Sequence, residues 1–117
     1  MAKENSAAGA STKTFSQIRK RLEATPDIDT AAELLNLAGN STRFKLLNLL
    51  DEMDEINVSD LSELLGVSVS AISQHLAKLR AYGLVVPRRE AQTIYYRLAD
   101  HPFNDKLREN FFFDLGT

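Results

Sequence analysis

Residues 60–83 read DLSELLGVSVSAISQHLAKLRAYG, and they contain the pattern that decides the fold. The first six are spaced for a short helix, which Ser59 or Asp60 can cap and Gly66 ends. Ser68 is a preferred N-cap for a longer helix, which the spacing predicts from residue 69 to about residue 82. A short helix, a tight turn with glycine and a longer helix form the helix-turn-helix arrangement.

The longer helix has one apolar stripe and one polar face. Ile72, Leu76 and Leu79 recur at i, i+4 and i+7, so we expect them to be buried. Glutamine can pair with adenine through two hydrogen bonds, and serine can donate or accept, so the other face suits the major groove of DNA. The candidate DNA-contacting residues of this helix are Ser68, Val69, Ser70, Ser73, Gln74 and Lys78.

After Gly83 the apolar period changes from helical to two, which predicts a hairpin. Two strands, over residues 84–86 and 94–98, enclose a polar tip over residues 87–93. Pro87 implies that the first strand ends there or lies at an edge. A wing of this kind suits phosphate or minor-groove contact. The candidate contacts on it are Arg88, Arg89 and Gln92.

Further helices are predicted on both sides of this motif. Upstream, one lies near residues 15–23, a second is capped by Asp29 or Thr30, and a third, central helix is capped by Asn40. Downstream, a last helix runs from Pro102 to about Leu115. The predicted fold is therefore mainly α with a small β wing (α+β), a winged helix-turn-helix with about five to six helices and a two-stranded hairpin.

Arg43 falls in the first turn of the central helix, where a cation is unfavourable for the helix dipole. It needs a partner, either a phosphate or an internal carboxylate, and we include it among the candidate DNA contacts. The acidic run over residues 51–55 is interpreted as a solvated loop.

The domain prediction is a flexible tail over residues 1–14 and a single domain for DNA binding and dimerisation over residues 15–117. The terminal helices carry more apolar side chains than a small winged-helix core needs, and such an excess marks an interface. The predicted dimer contacts are Phe15, Ile18, Leu22, Phe103, Leu107, Phe111 and Phe112.

Composition excludes several classes of protein. The 117 residues include no cysteine and two histidines, which excludes disulfide scaffolds, thiolate metal sites and cysteine nucleophiles. No glycine-rich elbow or phosphate loop frames a catalytic group, so we expect no enzyme. No apolar run approaches the roughly 20 residues of a membrane span, which favours the cytoplasm. The net charge is −2, but residues 68–97 sum to +4, which favours one face for a polyanion.

Three stretches resemble the ArsR/SmtB family of dimeric winged-helix repressors. They are LAGNSTRFKLLNLL at 37–50, residues 60–90, which include the motif quoted above, and IYYRL at 94–98. The resemblance covers about half of the chain. It implies a prokaryotic regulator that binds double-stranded operator DNA as a homodimer, with the N-terminal and last helices forming the dimer interface.

The chain departs from the metal-sensing members of that family. Where they carry Cys-Val-Cys, this chain has Asn57-Val58-Ser59. Other members bind zinc across the last helix; here Asp100 matches that pattern, but the following positions are Pro102, Phe113 and Gly116. Neither set holds a soft or borderline metal, so we expect no metal and no cofactor, and the inducer stays unknown.

Two alternatives stay open. The first is a winged helix used only for protein interaction, although the polar face of the longer helix argues against it. The second is a regulator that senses a small molecule or a hard metal at an unrecognised site near the last helix.

Overall fold

The computed structural model describes residues 12–116, which contain six helices and three strands. The helices are α1 (Thr12–Ala24), α2 (Pro26–Ala38), α3 (Ser41–Met53), α4 (Val58–Leu65), α5 (Val69–Ala81) and α6 (Pro102–Asn110). The strands are β1 (Ile56–Asn57), β2 (Val85–Glu90) and β3 (Thr93–Leu98). This architecture confirms the α+β winged helix-turn-helix class.

The chain divides into two compact units, at residues 33 and 34. In the first unit, α1 begins at Thr12, so residues 12–14 are helical and the predicted tail is wrong there. The rest of that tail lies outside the described residues. Helix α2 begins at Pro26 and not at the predicted caps, because proline fits the first helical turn, where its missing N–H is not needed. The prediction of one domain over residues 15–117 stays a prediction.

The core of the second unit lies between α3, α4 and α5. Ile72, Leu76 and Leu79 of α5 are fully buried, which confirms the predicted stripe. They belong to one cluster with Leu61 of α4 and with three leucines of α3. Those three leucines are Leu46, Leu47 and Leu50, each at most 1% exposed. Helix α3 is therefore the central helix, as predicted.

Side chains at the helix ends fix where each helix of the motif begins. The side chains of Asn40 and Ser68 accept hydrogen bonds from backbone N–H groups of α3 and α5, as predicted. Helix α4 is capped by Asn57, whose Oδ1 accepts from the Asp60 N–H at 2.8 Å, so the predicted caps Ser59 and Asp60 were wrong. Asparagine is as good an N-cap as either, and it starts α4 earlier.

The wing is a three-stranded antiparallel sheet in the order β1-β3-β2, not the predicted two-stranded hairpin. The added strand is β1, whose Ile56 lies opposite Tyr96. Pro87 does not end β2, because β2 is an edge strand and the sheet needs no hydrogen bond from that residue. The tip is therefore only the turn at Ala91 and Gln92, where Ala91 has a φ of 57°.

Helix α6 ends at Asn110, earlier than predicted, because a buried side chain holds the residues that follow. Asn48 of α3 donates from Nδ2 to the Phe113 carbonyl and accepts from the Phe113 N–H, both at 2.9 Å. This amide satisfies the backbone of an extended segment, so the chain leaves the helix to reach it. Asn48 carried no signal in the sequence that marked it as buried.

Part of the predicted dimer interface lies in the core of the protomer. Leu107 is 3% exposed and belongs to the buried cluster, so it is unavailable for a dimer contact. Phe103 and Phe112 are half-buried against the same cluster, and the Phe112 ring packs edge-on against Phe44 at 5.7 Å between centroids. Helical spacing identified this apolar stripe correctly, but spacing alone does not distinguish a stripe covered by the same chain from one covered by a partner.

We predict that Leu107→Ala lowers the free energy of unfolding by about 2–5 kcal/mol, because it leaves a cavity in the core. The control is Lys106→Ala, which changes an exposed residue of the same helix and should stay within about 0.5 kcal/mol of wild type. Urea denaturation followed by circular dichroism measures both. If Leu107→Ala left the unfolding midpoint unchanged, the burial of this residue would be contradicted.

Candidate nucleic-acid interface

The exposed face of α5 is polar and lies opposite its buried stripe. Ser70, Ser73, Gln74 and Lys78 are all exposed, and Val69 is 50% exposed at the start of the helix. The side chain of Ser68 accepts from the Ala71 N–H at 3.1 Å, so Ser68 serves the helix as a cap. An exposed helix with short polar side chains at its N-terminal end has the form that the major groove admits.

A cleft of about 250 Å³ lies between α5, the start of α4 and the tip of the wing. It brings Val69 and Ser73 of α5 next to Gln92 of the wing, three candidate residues predicted from separate parts of the sequence. Ser59, at the start of α4, also lines it. Helix α5 and the wing tip therefore border one polar cleft on the same side of the second unit.

The two wing arginines occupy opposite faces of the sheet, because neighbouring residues of a strand alternate. Arg89 lies opposite Ile94, which lines the cleft beside α5. Arg88 lies opposite Tyr95, which lines a separate groove with Glu55, a residue of the acidic run. Arg89 is thus on the side of α5, whereas Arg88 is not.

Arg88 is held by two carboxylates in the free protein. Its Nε and Nη2 donate to the two oxygens of Glu55 at 2.9 and 2.7 Å, and its Nη1 donates to Glu90 at 2.9 Å. Its guanidinium carbon also lies 4.7 Å from the centre of the Tyr95 ring. The hydrogen bonds from Arg88 are the largest influence on Glu55 and hold the pKa of that carboxyl below its usual range.

The interpretation of residues 51–55 as a solvated loop is wrong, because residues 51–53 form the end of α3 and two carboxylates of the run are paired. Asp51 accepts from Nε of Arg108 on α6 at 2.6 Å, and Glu55 accepts from Arg88. The sequence interpretation missed both pairs because the partners are 57 and 33 residues apart in the chain. The only signal in the sequence was the negative charge of this run, which is opposite to the positive charge of residues 68–97.

Arg43 contacts a backbone carbonyl and a histidine, and not the internal carboxylate that was one of its two expected partners. Its Nε donates to the Leu37 carbonyl at 2.7 Å, and its Nη1 lies 3.3 Å from Nδ1 of His75. Because arginine only donates, this contact requires a neutral imidazole whose proton is on Nε2. Burial, followed by the charges of Arg43 and Lys78, lowers the pKa of His75.

The predicted dimer residues of α1 are exposed within the first unit. Phe15, Ile18 and Leu22 are 44, 49 and 59% exposed, and they recur at helical spacing. In the second unit, Phe111 is exposed as well. These side chains form apolar surface that the described residues of their own unit leave uncovered.

Metal-binding groups do not come together in the part of the chain that the structure describes. No group of three or more histidine, cysteine, aspartate or glutamate side chains is placed to hold an ion there. At the family's thiolate position, Asn57 uses its side chain to cap α4 and Val58 is apolar, so these residues do not fit a metal. Among residues 12–116, no helix is both long and apolar enough to cross a membrane.

The geometry, an exposed polar helix of a helix-turn-helix beside a β wing, is that of a winged helix-turn-helix domain. The model of the family described as "Bacterial regulatory protein, arsR family" matches residues 40–86. The solved structure of HlyU from Vibrio cholerae has 38% identity and a TM-score of 0.67, and the match covers 73% of this chain and 91% of that one. The chain belongs to the ArsR family.

Curated relatives agree with this assignment. The nodulation protein NolR of Rhizobium meliloti is 47% identical over 70 residues, which are 60% of this chain and 57% of that protein. The transcriptional activator HlyU is 46% identical over 69 residues, 59% of this chain and 63% of that protein. The arsenical resistance operon repressor of Escherichia coli is 38% identical over 69 residues, 59% of each. The match thus spans about three fifths of the length of these relatives, two of which are named as a transcriptional activator and an operon repressor.

We predict that His75 makes the protein less stable at mildly acid pH. The pKa of His75 is lower in the folded chain than the ordinary value of 6.5, so unfolding lets the imidazole take up a proton. Stability is therefore lost as pH falls through about 6.5. In His75→Gln, which can still accept from Arg43, the free energy of unfolding should fall less between about pH 7.5 and 5.5 than in wild type. Urea titrations at the two pH values measure this fall. If the free energy of unfolding fell equally in wild type and in His75→Gln, the prediction would be contradicted.

Proposed function

We propose that this protein binds a palindromic operator as a homodimer and represses transcription in the prokaryotic cytoplasm. The single observation that carries the proposal is the polar, exposed face of α5 beside the wing tip. The rest of that helix is held by its buried stripe, so the face has a fixed direction. A duplex with base edges in a wide groove is the ligand that fits such a face.

In this proposal the base contacts come from the exposed residues of α5. Gln74 and Ser73 read base edges, and Val69 and Ser70 approach the groove at the N-terminal end of the helix. Lys78, one turn beyond Gln74, contacts phosphate. Ser68 positions the helix as its cap and adds a contact through its backbone.

The wing and α3 have different parts. Arg89 and Gln92 face the side of α5, so they are the wing residues that we propose for phosphate or minor-groove contact. Arg43 is half-buried and bound to a carbonyl and to His75, so we propose that it orients α5 and does not contact DNA.

The dimer in this proposal forms through α1 and the exposed part of the C-terminal region. The apolar residues of α1 and Phe111 are the supporting observation, since exposed apolar surface of this extent marks an interface. A dimer would place two copies of α5 about one turn of DNA apart, roughly 34–36 Å. Such a complex covers promoter DNA and thereby represses. The relatives include both a repressor and an activator by name.

A second candidate, a regulator that senses an apolar small molecule, is favoured by a groove in the second unit. The groove has a volume of about 420 Å³, within the range of ligand sites. Phe44 and Leu49 of α3, Leu64 of α4, and Phe113 and Leu115 line it. A ligand there would contact the first helix of the helix-turn-helix. This candidate requires a compound that binds the groove and weakens DNA binding.

We predict that Gln74→Ala weakens binding to an operator by about 1–3 kcal/mol and changes binding to random DNA little, because the lost hydrogen bonds carry sequence information. Arg89→Ala should weaken binding to both duplexes. It should also reduce the slope of log affinity against log salt concentration by about one unit. The operator is first selected from a random pool by the wild-type protein, and affinities are then measured across a salt series. Equal losses on both duplexes for Gln74→Ala would contradict the placement of α5.

We predict that the chain sediments as a dimer at micromolar concentration. Ile18→Glu places a charge in the apolar stripe of α1. It should therefore raise the dissociation constant of the dimer at least tenfold, which corresponds to about 1.4 kcal/mol. Gln17→Glu, which adds the same charge to the neighbouring exposed position, is the control and should leave the association unchanged. A wild-type monomer with and without DNA would contradict the proposed dimer.

A further inference from the structure

The face of the wing that carries Arg88 is electrically balanced. It holds two arginines, Arg88 and Arg97, and two glutamates, Glu55 and Glu90. Glu55 accepts two hydrogen bonds from Arg88, and Glu90 accepts a third, so both terminal nitrogens and Nε are occupied. Three of the five N–H groups of Arg88 are therefore engaged, and the two carboxylates offset its positive charge, so it attracts a phosphate less than an unpaired arginine does.

We propose that Glu55 masks Arg88 from DNA phosphates, so that of the two wing arginines only Arg89 adds to the attraction for the duplex. This inference rests on the proposed function, because it assigns a further determinant of the same DNA contact. The masking residue lies in the segment that precedes the helix-turn-helix. The masked residue lies in the wing, next to the arginine that faces α5.

Glu55 is well placed to keep its partner. It comes directly before β1, whose Ile56 is 5% exposed and fixed by pairing with Tyr96. The Glu55 carboxylate is less exposed than the arginine, with 31% against 47% of the side chain accessible. Its two oxygens match the fork of the guanidinium, a geometry that favours arginine over lysine. The Tyr95 ring supports the flat side of the same group.

The expected consequence is a lower affinity for DNA of any sequence. Phosphate contacts supply essentially all of non-specific binding, and each one contributes to its salt dependence. The chain has 14 lysine and arginine residues against 16 acidic ones, so the pairing of one arginine changes the DNA affinity and its salt dependence measurably. Base contacts from α5 do not depend on this pair.

The alternative is that the pair only holds the wing in shape. The two roles predict opposite changes in DNA affinity when Glu55 is replaced. If the pair is only structural, removing either partner loosens the wing and weakens DNA binding. If Glu55 masks Arg88, removing the glutamate leaves the arginine with Glu90 alone, whose side chain is 67% exposed, and strengthens DNA binding, whereas removing the arginine changes binding little.

The experiment measures binding to a scrambled duplex of about 30 base pairs across a salt series. The variants are Glu55→Gln, Arg88→Ala and the double variant. The matched control is Glu63→Gln, which removes the same charge from the same groove but from a residue that makes no ion pair among the described residues. Circular dichroism confirms that each variant is folded.

We expect Glu55→Gln to bind roughly 3- to 10-fold more tightly at about 0.1 M salt, with a slope steeper by about one unit. Arg88→Ala and the double variant should keep the wild-type slope, and Glu63→Gln should fall well short of Glu55→Gln. A second readout needs no DNA: in Arg88→Ala, the pKa of the Glu55 carboxyl, followed by NMR, should rise towards its usual range.

Other results overturn the proposal in distinguishable ways. If Glu55→Gln binds no more tightly than Glu63→Gln, or if Arg88→Ala flattens the slope, the mask is wrong while DNA binding stands. A Glu55 pKa that is unchanged in Arg88→Ala shows that the pair does not form in solution and also overturns the mask. If the wild-type protein binds neither the scrambled nor any selected duplex, the proposed function itself fails, and the mask with it.

Discussion

The side chains of Ile72, Leu76 and Leu79 lie on one stripe of α5, and none of them is exposed to solvent. They pack with Leu61 of α4 and with the leucines of α3, so the direction of α5 is set by burial of apolar surface. The opposite face of α5 consequently points outward with its serines and glutamine. The wing depends on the same core, because Leu84 and Val85, at the start of the hairpin, belong to that cluster.

Local signals in the sequence predicted the helices of this motif well. Ser68 and Asn40 are caps that act within three residues, and Gly66 ends α4 with a φ of 64°, so each signal and its effect lie in the same turn. Apolar spacing was as reliable, since it identified the buried stripe of α5 completely. These features needed no knowledge of how distant segments meet.

Features that depend on distant segments were missed or wrong. Strand β1 joins the sheet by pairing residues that are 40 positions apart, Ile56 with Tyr96 of β3. The end of α6 depends on Asn48, 65 residues before the carbonyl that it binds. Leu107 was assigned to a dimer although the chain's own core covers it. For the candidate site, the sequence identified the polar face of α5 but did not show that Arg88 and Arg89 lie on opposite faces of the wing.

In the proposed complex α5 lies in the major groove with Ser73 at the base edges, and because the chain has no cysteine, one label can be placed at that position. Ser73→Cys is labelled with an iron chelate that cleaves nearby DNA, and the cuts are mapped on a duplex selected by the wild-type protein. We expect two clusters of cuts, centred about 10–10.5 base pairs apart and placed in the major groove. Cuts from a chelate at Glu63→Cys that match or exceed those from Ser73→Cys would contradict this placement of α5.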